Sequence, residues 1–157
     1  MIIPLTQGKA AIIDDADYPL IKCYRWYARK CRWCWYATAN VKGKDGKWRK
    51  MQMHHLILGA VILTDHRNGD GLDNRRINLR PCTHAENVRN STARHNSRSP
   101  YKGVSWDRKS RKWKAQIGMH GRKIHLGFYE REQDAAEAYD MAARRYFGEF
   151  ARLNCAA

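Results

Sequence analysis

Between Ala135 and Phe147, apolar side chains recur at Ala135, Ala136, Tyr139, Ala142, Ala143, Tyr146 and Phe147. That i, i+3, i+4, i+7 spacing predicts an amphipathic helix, and Gly148 marks its end. Its stripe is mostly alanine, so the surface that covers it must approach closely. The preceding residues supply such a surface. Tyr101–Trp106 and Lys112–Ile117 alternate polar and apolar residues around a polar turn at Asp107–Arg111, and Lys123–Leu126 follows the turn signal His120-Gly121. Three short antiparallel strands backed by one helix are expected over 101–155.

Charge divides the same region. The chain of 157 residues carries 30 Lys+Arg against 15 Asp+Glu, a formal net charge of +15. Residues 98–123 hold nine basic residues and one acid, whereas 124–157 hold four basic and six acidic. A cationic sheet backed by a near-neutral helix leaves one sheet face for a polyanion, and a sheet of this size fits the major groove of duplex DNA. The candidate DNA-binding residues are Lys102, Trp106, Arg108, Arg111, Lys112, Trp113, Lys114, Arg122, Lys123 and His125. Either tryptophan can instead be a core residue.

Tyr101-Lys-Gly-Val104, Trp113-Lys-Ala-Gln-Ile117, Leu126-Gly-Phe-Tyr129, Ala135–Ala143 and Phe150-Ala-Arg-Leu-Asn154 resemble an AP2/ERF DNA-binding domain. The resemblance implies a three-stranded sheet laid into the major groove. Ser105 stands where plant members usually carry an Arg, and His125 where they usually carry Trp, so their site preference does not transfer.

Upstream lies a stretch dense in bases and oxygen donors. Thr64–Arg80, followed by Thr83-His-Ala-Glu-Asn87, reads as strand, loop, strand, helix. The first strand ends at Asp65-His66, Asn68-Gly-Asp-Gly71 is a turn signature, the second strand centres on Asn78-Leu79, and Thr83-x-x-Glu86 is a capping box. Asp65 and Asn87 are two hard oxygen ligands, enough for Mg²⁺, which retains its own waters. His66 suits a general base, because an unperturbed imidazole titrates near working pH. Asn78 can cross-link the loop through its amide. Together these are the parts of phosphodiester hydrolysis.

Met53-His-His-Leu-Ile57, Asp65-His66, Leu72-Asp-Asn-Arg-Arg-x-Asn-Leu-Arg80 and Thr83-x-x-x-Asn87 resemble the H-N-N variant of the HNH endonucleases. The resemblance implies a ββα-metal fold in which Asp65 and Asn87 hold Mg²⁺ or another divalent cation such as Mn²⁺. His66 is then the general base, and Asn78 fixes its loop. His54, His55, Arg75 and Arg76 are candidate phosphate contacts. His55 replaces a common Arg, and Ala60–Leu63 is apolar where relatives carry a polar turn. With the AP2-like tail, the chain resembles phage-type HNH/AP2 homing endonucleases.

Residues 1–50 alternate short apolar runs with turns and read as a β-meander with Trp26, Trp33, Trp35 and Tyr36 as its core. Lys42, Lys44, Lys47, Arg49 and Lys50 form a basic hairpin able to touch a phosphate backbone. Five cysteines without regular spacing fit a reducing compartment, and the single pair Cys31-x-x-Cys34 lacks the second pair that a closed zinc site needs. No run is long and apolar enough for a membrane span, and no secretory signal opens the chain.

The expected fold class is α+β. It comprises a β-rich extension (1–50), an HNH ββα-metal core (51–92), a polar linker (93–100) and an AP2/ERF-like domain (101–155). The expected partner is double-stranded DNA, bound by a cytoplasmic monomer without membrane attachment. The alternatives are a non-cleaving DNA-binding protein on the same scaffold and an RNA-binding protein.

Overall fold

The computed structural model describes residues 1–31, 34–59, 63–93 and 96–155. Trp33, Ala60–Ile62, Arg94 and His95 lie outside them, and with them parts of the expected core, apolar stretch and linker. The fold is mixed α+β with several small antiparallel sheets. It divides into two compact units, Met1–His84 and Ala85–Ala157. Composition placed the boundary at 93–100; the units instead divide within a short helix. No helix among the described residues is long and apolar enough to cross a membrane.

In the first unit, β1 (Ile2–Pro4) pairs with β2 (Ala10–Ile12). A 3-10 turn at Asp15–Asp17 leads into α1 (Tyr18–Ile21), with Pro19 in its first turn, where a missing N–H costs nothing. Then β3 (Tyr27–Cys31), β4 (Cys34–Lys42) and β5 (Trp48–Gln52) form the expected meander, and α2 (Met53–Leu58) follows directly. Neither α1 nor α2 was expected. Four to six residues are too few to separate a helical period from a buried strand.

Ala11, Ile13, Ile21, Trp26, Ala37, Ala39, Met53, Ile57 and Leu79 form one buried cluster. Residues 1–50 therefore share their core with the segment that follows rather than forming a separate extension. Trp26 is in that core, its indole N–H donating to Ile21 O at 2.9 Å. Trp35 is not: it is half-buried, with the ammonium groups of Lys9 and Lys30 at 5.4 and 5.9 Å from its ring. β6 (Thr64–His66) pairs with β7 (Leu79–Pro81), and α3 (His84–Arg89) follows.

In the second unit, β8 (Val104–Asp107), β9 (Lys112–Met119) and β10 (Arg122–Tyr129) form an antiparallel sheet of order β10-β9-β8, and α4 (Glu132–Phe147) packs on it. The helix buries Ala135, Ala136, Tyr139, Ala143 and Phe147 against Val104, Ala115 and Ile117. Gly103 shows how close that approach is. Its φ is +78°, and a Cβ there would lie 2.1 Å from the Tyr139 ring.

Asn154 closes this unit. Its side chain pairs with both backbone groups of Lys102, at 2.6 and 3.0 Å, while buried Asp140 accepts the N–H groups of Asn154 and Cys155. Asn154 in the Phe150–Asn154 motif is thus a backbone clasp.

Candidate functional site

The first-unit site grows from the β6–β7 pair, a two-strand ladder too short to hold a long connecting loop by itself. Side chains do that work. Asn78 accepts Asn68 N–H on Oδ1 at 3.0 Å and donates from Nδ2 to Asp73 O at 2.7 Å, so one amide spans the loop as its sequence position suggested. Asn68 and Asp70 each cap the N–H two residues on, and Asn68 donates to Asp73 at 3.0 Å. The loop is tied to β2 through Ile12 N–H to Leu72 O and Asn74 N–H to Ile12 O, at 2.9 and 2.7 Å.

Around this scaffold the polar residues are buried: Asp65, His66, Asp73, Asn74, Asn78 and Arg80 are each at most 6% exposed. A buried charge requires a partner. Asp65 faces Arg80 across the ladder, and the guanidinium donates to its Oδ2 from Nε and Nη2 at 2.8 and 2.6 Å. Asp73 takes two N–H bonds from Arg75, which hold its carboxyl below the usual range. Sequence reading had not singled out Asp73, Asn74 or Arg80. Their signal is their place in the motif Leu72–Arg80, where polar residues crowd beside apolar Leu72, Ile77 and Leu79.

His66 lies in a cluster of rings. His54 is 5.0 Å away, edge to face; Tyr36 is 5.8 Å from both; and His55 is 4.4 Å from His54. Burial lowers the pKa of His66, opposed by the Asn74 side chain and by Asp65, Asp70 and Asp73. Burial, helped by His66 and His55, lowers His54 to about 3. Burial also lowers His55, so the cluster is neutral at neutral pH. Tyr36 is pushed up to about 12 by burial first, then by Cys34 and other neighbouring groups. Gly71 backs onto this ring so tightly that a Cβ would sit 2.6 Å from Tyr36 and 2.5 Å from Trp35 O.

The candidate phosphate contacts are placed unequally. Arg75 is committed to Asp73. Arg76 grips Asp17 with Nε and Nη2 and donates to Ile57 O at 2.9 Å, while its N–H donates to Asp14 at 2.8 Å. Both arginines are structural clamps with half-exposed side chains. His54 is 4% exposed, inside the ring cluster, and His55 is half-buried beside it.

Among the described residues no group of three or more His, Cys, Asp or Glu side chains could hold a metal ion. A buried carboxylate in a polar strand-loop-strand suits a hard cation that keeps its waters. Of the two expected oxygen ligands, Asp65 is in the first unit and Asn87, on α3, is in the second.

In the second unit, Arg108, Arg111, Arg122, Lys123 and His125 are exposed and Lys114 is half-buried. Alternation and register place Ser105, Lys114 and Phe128 in one cross-strand row on the face away from α4, beside Gln116 and His125. Phe128 is 46% exposed and its ring lies 4.6 Å from His125. Sequence alternation missed it because a bulge between His125 and Gly127 shifts the register.

Three of the expected DNA contacts are half-buried and have protein partners within the unit. Trp113 packs into the helix-facing core, and Trp106, its register partner, meets it edge-on at 5.2 Å. Lys102 turns its ammonium onto Val88 O and Ser91 O, at 3.0 and 2.7 Å, and so caps the carbonyl end of α3. Burial and then Arg152 lower its pKa to about 8.

No family model matches the chain. An uncharacterized HNH endonuclease of Acanthamoeba polyphaga mimivirus is 27% identical over 156 residues, which cover 94% of this chain and 76% of that protein. Two AP2-like ethylene-responsive transcription factors of Arabidopsis thaliana are 38% identical over 68 residues and 37% identical over 67. These matches cover 36% and 43% of this chain, but only 22% and 19% of the plant proteins. The chain thus has a distant, nearly full-length likeness to an HNH endonuclease and a partial one to AP2-like transcription factors.

Proposed function

We propose that this chain is a metal-dependent endonuclease that hydrolyses phosphodiester bonds of duplex DNA, with the first unit cutting and the sheet of the second unit gripping the duplex. The observation that carries the reading is the buried group of His66, Asp65 and Asn78 on one strand-loop-strand. A purely structural turn has no need to keep a neutral imidazole and a charged pair dry together. His66 accepts a proton from the attacking water. Asn78 holds the loop that sets the direction of the His66 ring, and Arg80 orients Asp65. Asp65, with Asn87 assigned by its sequence position, would hold Mg²⁺ or Mn²⁺. The bound ion supplies Lewis-acid stabilisation of charge on the phosphate and the leaving oxygen. A homing-type role, a phage source, a cytosolic location and a monomeric state complete the proposal on resemblance and composition.

Supercoiled plasmid incubated with Mg²⁺, with Mn²⁺ or with chelator tests it, using wild type and His66→Ala in parallel. Metal-dependent nicking lost in the variant supports the reading; equal nicking by both refutes the assigned base. The bidentate grip of Arg80 on Asp65 favours one other reading, a duplex-DNA-binding protein that does not cut. Retarded DNA with no cleavage under either metal would establish that alternative.

A further inference from the structure

The β4–β5 hairpin is a strongly cationic exposed feature of the first unit, and the reaction proposed above makes no use of it. Residues 42–50 contain five basic residues and a single acid, Asp45. Asp45 is already engaged: it pairs with Arg49 at 2.8 Å and accepts Lys47 N–H at 3.3 Å. The turn is held by Gly43 N–H to Lys47 O and Gly46 N–H to Gly43 O, at 2.8 and 2.9 Å. Lys42, Lys44, Lys47 and Lys50 are all exposed. Among them stands Trp48, 70% exposed, at one side of a shallow groove lined by Asn40, Arg49 and Lys50.

Register fixes which way this surface looks. Ala37, Ala39 and Met51 face the core. Alternation therefore puts Tyr36, Thr38, Asn40 and Lys42 on the other face of β4, and Trp48 and Lys50 join them as partners of Lys42 and Asn40. Tyr36 begins that row, 5.8 Å from His66. The exposed end of the row is four to six residues farther along β4, roughly 13–20 Å at ~3.3 Å per residue. Along a duplex that is about four to six base steps.

We propose that the β4–β5 hairpin is a second duplex-DNA contact, with Trp48 against the sugar-phosphate backbone and Lys42, Lys44, Lys47 and Lys50 on phosphates about half a turn from the scissile bond. This rests on the nuclease reading of the first unit. Charge complementarity selects a polyanion, and the shape selects its form. A two-stranded ribbon fits the major groove of B-form DNA, whereas the major groove of A-form RNA is too deep and narrow to admit one. A platform for single strands stacks successive bases on several exposed aromatics, and Trp48 is the one exposed aromatic among the described residues of this ribbon.

The experiment uses the full chain with chelator present, a 30-base-pair DNA duplex as probe, and Kd measured over a salt series. Lys42→Gln/Lys44→Gln/Lys50→Gln should lower the slope of log Kd against log salt by about 2–3, because each lost phosphate contact removes ~0.9. Trp48→Ala should weaken binding roughly tenfold with the slope unchanged, because the indole buries apolar area against sugar and neutralises no phosphate. Lys114→Gln/Lys123→Gln, on the second-unit sheet, serves as reference. A wild-type slope in the lysine triple, with a lowered slope in the reference, overturns the hairpin contact and leaves the function standing. Absence of salt-dependent duplex binding in wild type overturns the function itself. Equal competition by duplex RNA overturns the commitment to DNA. All the substituted hairpin side chains are exposed, and matching circular dichroism spectra confirm that the variants fold.

Discussion

Replacing His54 by Phe should flatten the acid sensitivity of the first unit. The His54 ring is 4% exposed and meets His66, His55 and Tyr36. Burial, then His66 and His55, takes its pKa from 6.5 to about 3. The unfolded chain therefore binds a proton near 6.5 that the folded chain refuses until about 3. The stability contributed by this group is complete above 6.5 and is lost as pH falls toward 3. At about 1.4 kcal/mol per pH unit the full span approaches ~5 kcal/mol, and the part lost between about pH 7 and pH 5 is ~2 kcal/mol. Phe keeps a flat ring against the same neighbours but cannot titrate. Urea unfolding followed through the β4 amide resonances by NMR should show the wild-type midpoint dropping about 1 M further than the variant over that pH step, for a slope of ~2 kcal/mol per M. His55 and His66 are lowered by burial in both proteins, so their share cancels in the comparison. An equal pH decrement in the two proteins would refute the argument that His54 is held neutral by the fold.

Asn78→Ala removes both amide bonds across the loop and should cost about 2–4 kcal/mol in urea unfolding, with plasmid nicking reduced by at least tenfold. Gly103→Ala drives a Cβ into the Tyr139 ring at a left-handed φ; it should cost the second unit roughly 3 kcal/mol or more, seen as a lower melting temperature for α4 amides. Lys102→Met strips the cap from α3 and should cost about 1.5–3 kcal/mol. Because that ammonium serves carbonyls and not phosphate, the salt slope of DNA binding should stay at its wild-type value; a slope lowered by ~0.9 would restore Lys102 as a DNA contact.

The order of three strands and one helix in the second unit was legible because two unlike periods, two for the strands and 3.6 for α4, each run long enough to be read, although β8 starts three residues later and β10 ends three residues later than alternation indicates. What misled was which face a residue occupies. Trp106 and Trp113 sit in a cationic run, yet Ala115 and Ile117 set the phase of β9 and put the indoles on the helix side. Phe128 was hidden for the converse reason, a bulge that shifts the phase. In the first unit the strand-loop-strand order was legible from turn chemistry, and so was the loop-spanning amide of Asn78. The pairing of Arg80 with Asp65 was not, because it depends on the register of two three-residue strands thirteen positions apart along the chain. Arg75 and Arg76 looked alike in sequence; only the fold supplies one with Asp73 and the other with Asp17 and Ile57.

The Arg76 clamp has a consequence for how this molecule comes into being. It joins positions 59 and 62 residues apart, since Arg76 holds both Asp17 and Asp14. Closing a segment of that length costs a chain roughly 3–4 kcal/mol of entropy before any contact within it is made. A peptide containing only residues 64–90 therefore keeps the bonds within the loop but lacks the Arg76 clamp and the ties to β2. During synthesis the clamp cannot close until Arg76 has left the ribosome and can meet a helical turn made some sixty residues earlier. The fully anchored loop is thus among the last parts of the first unit to take shape, and a prematurely terminated chain lacking Arg76 would carry the basic hairpin without it.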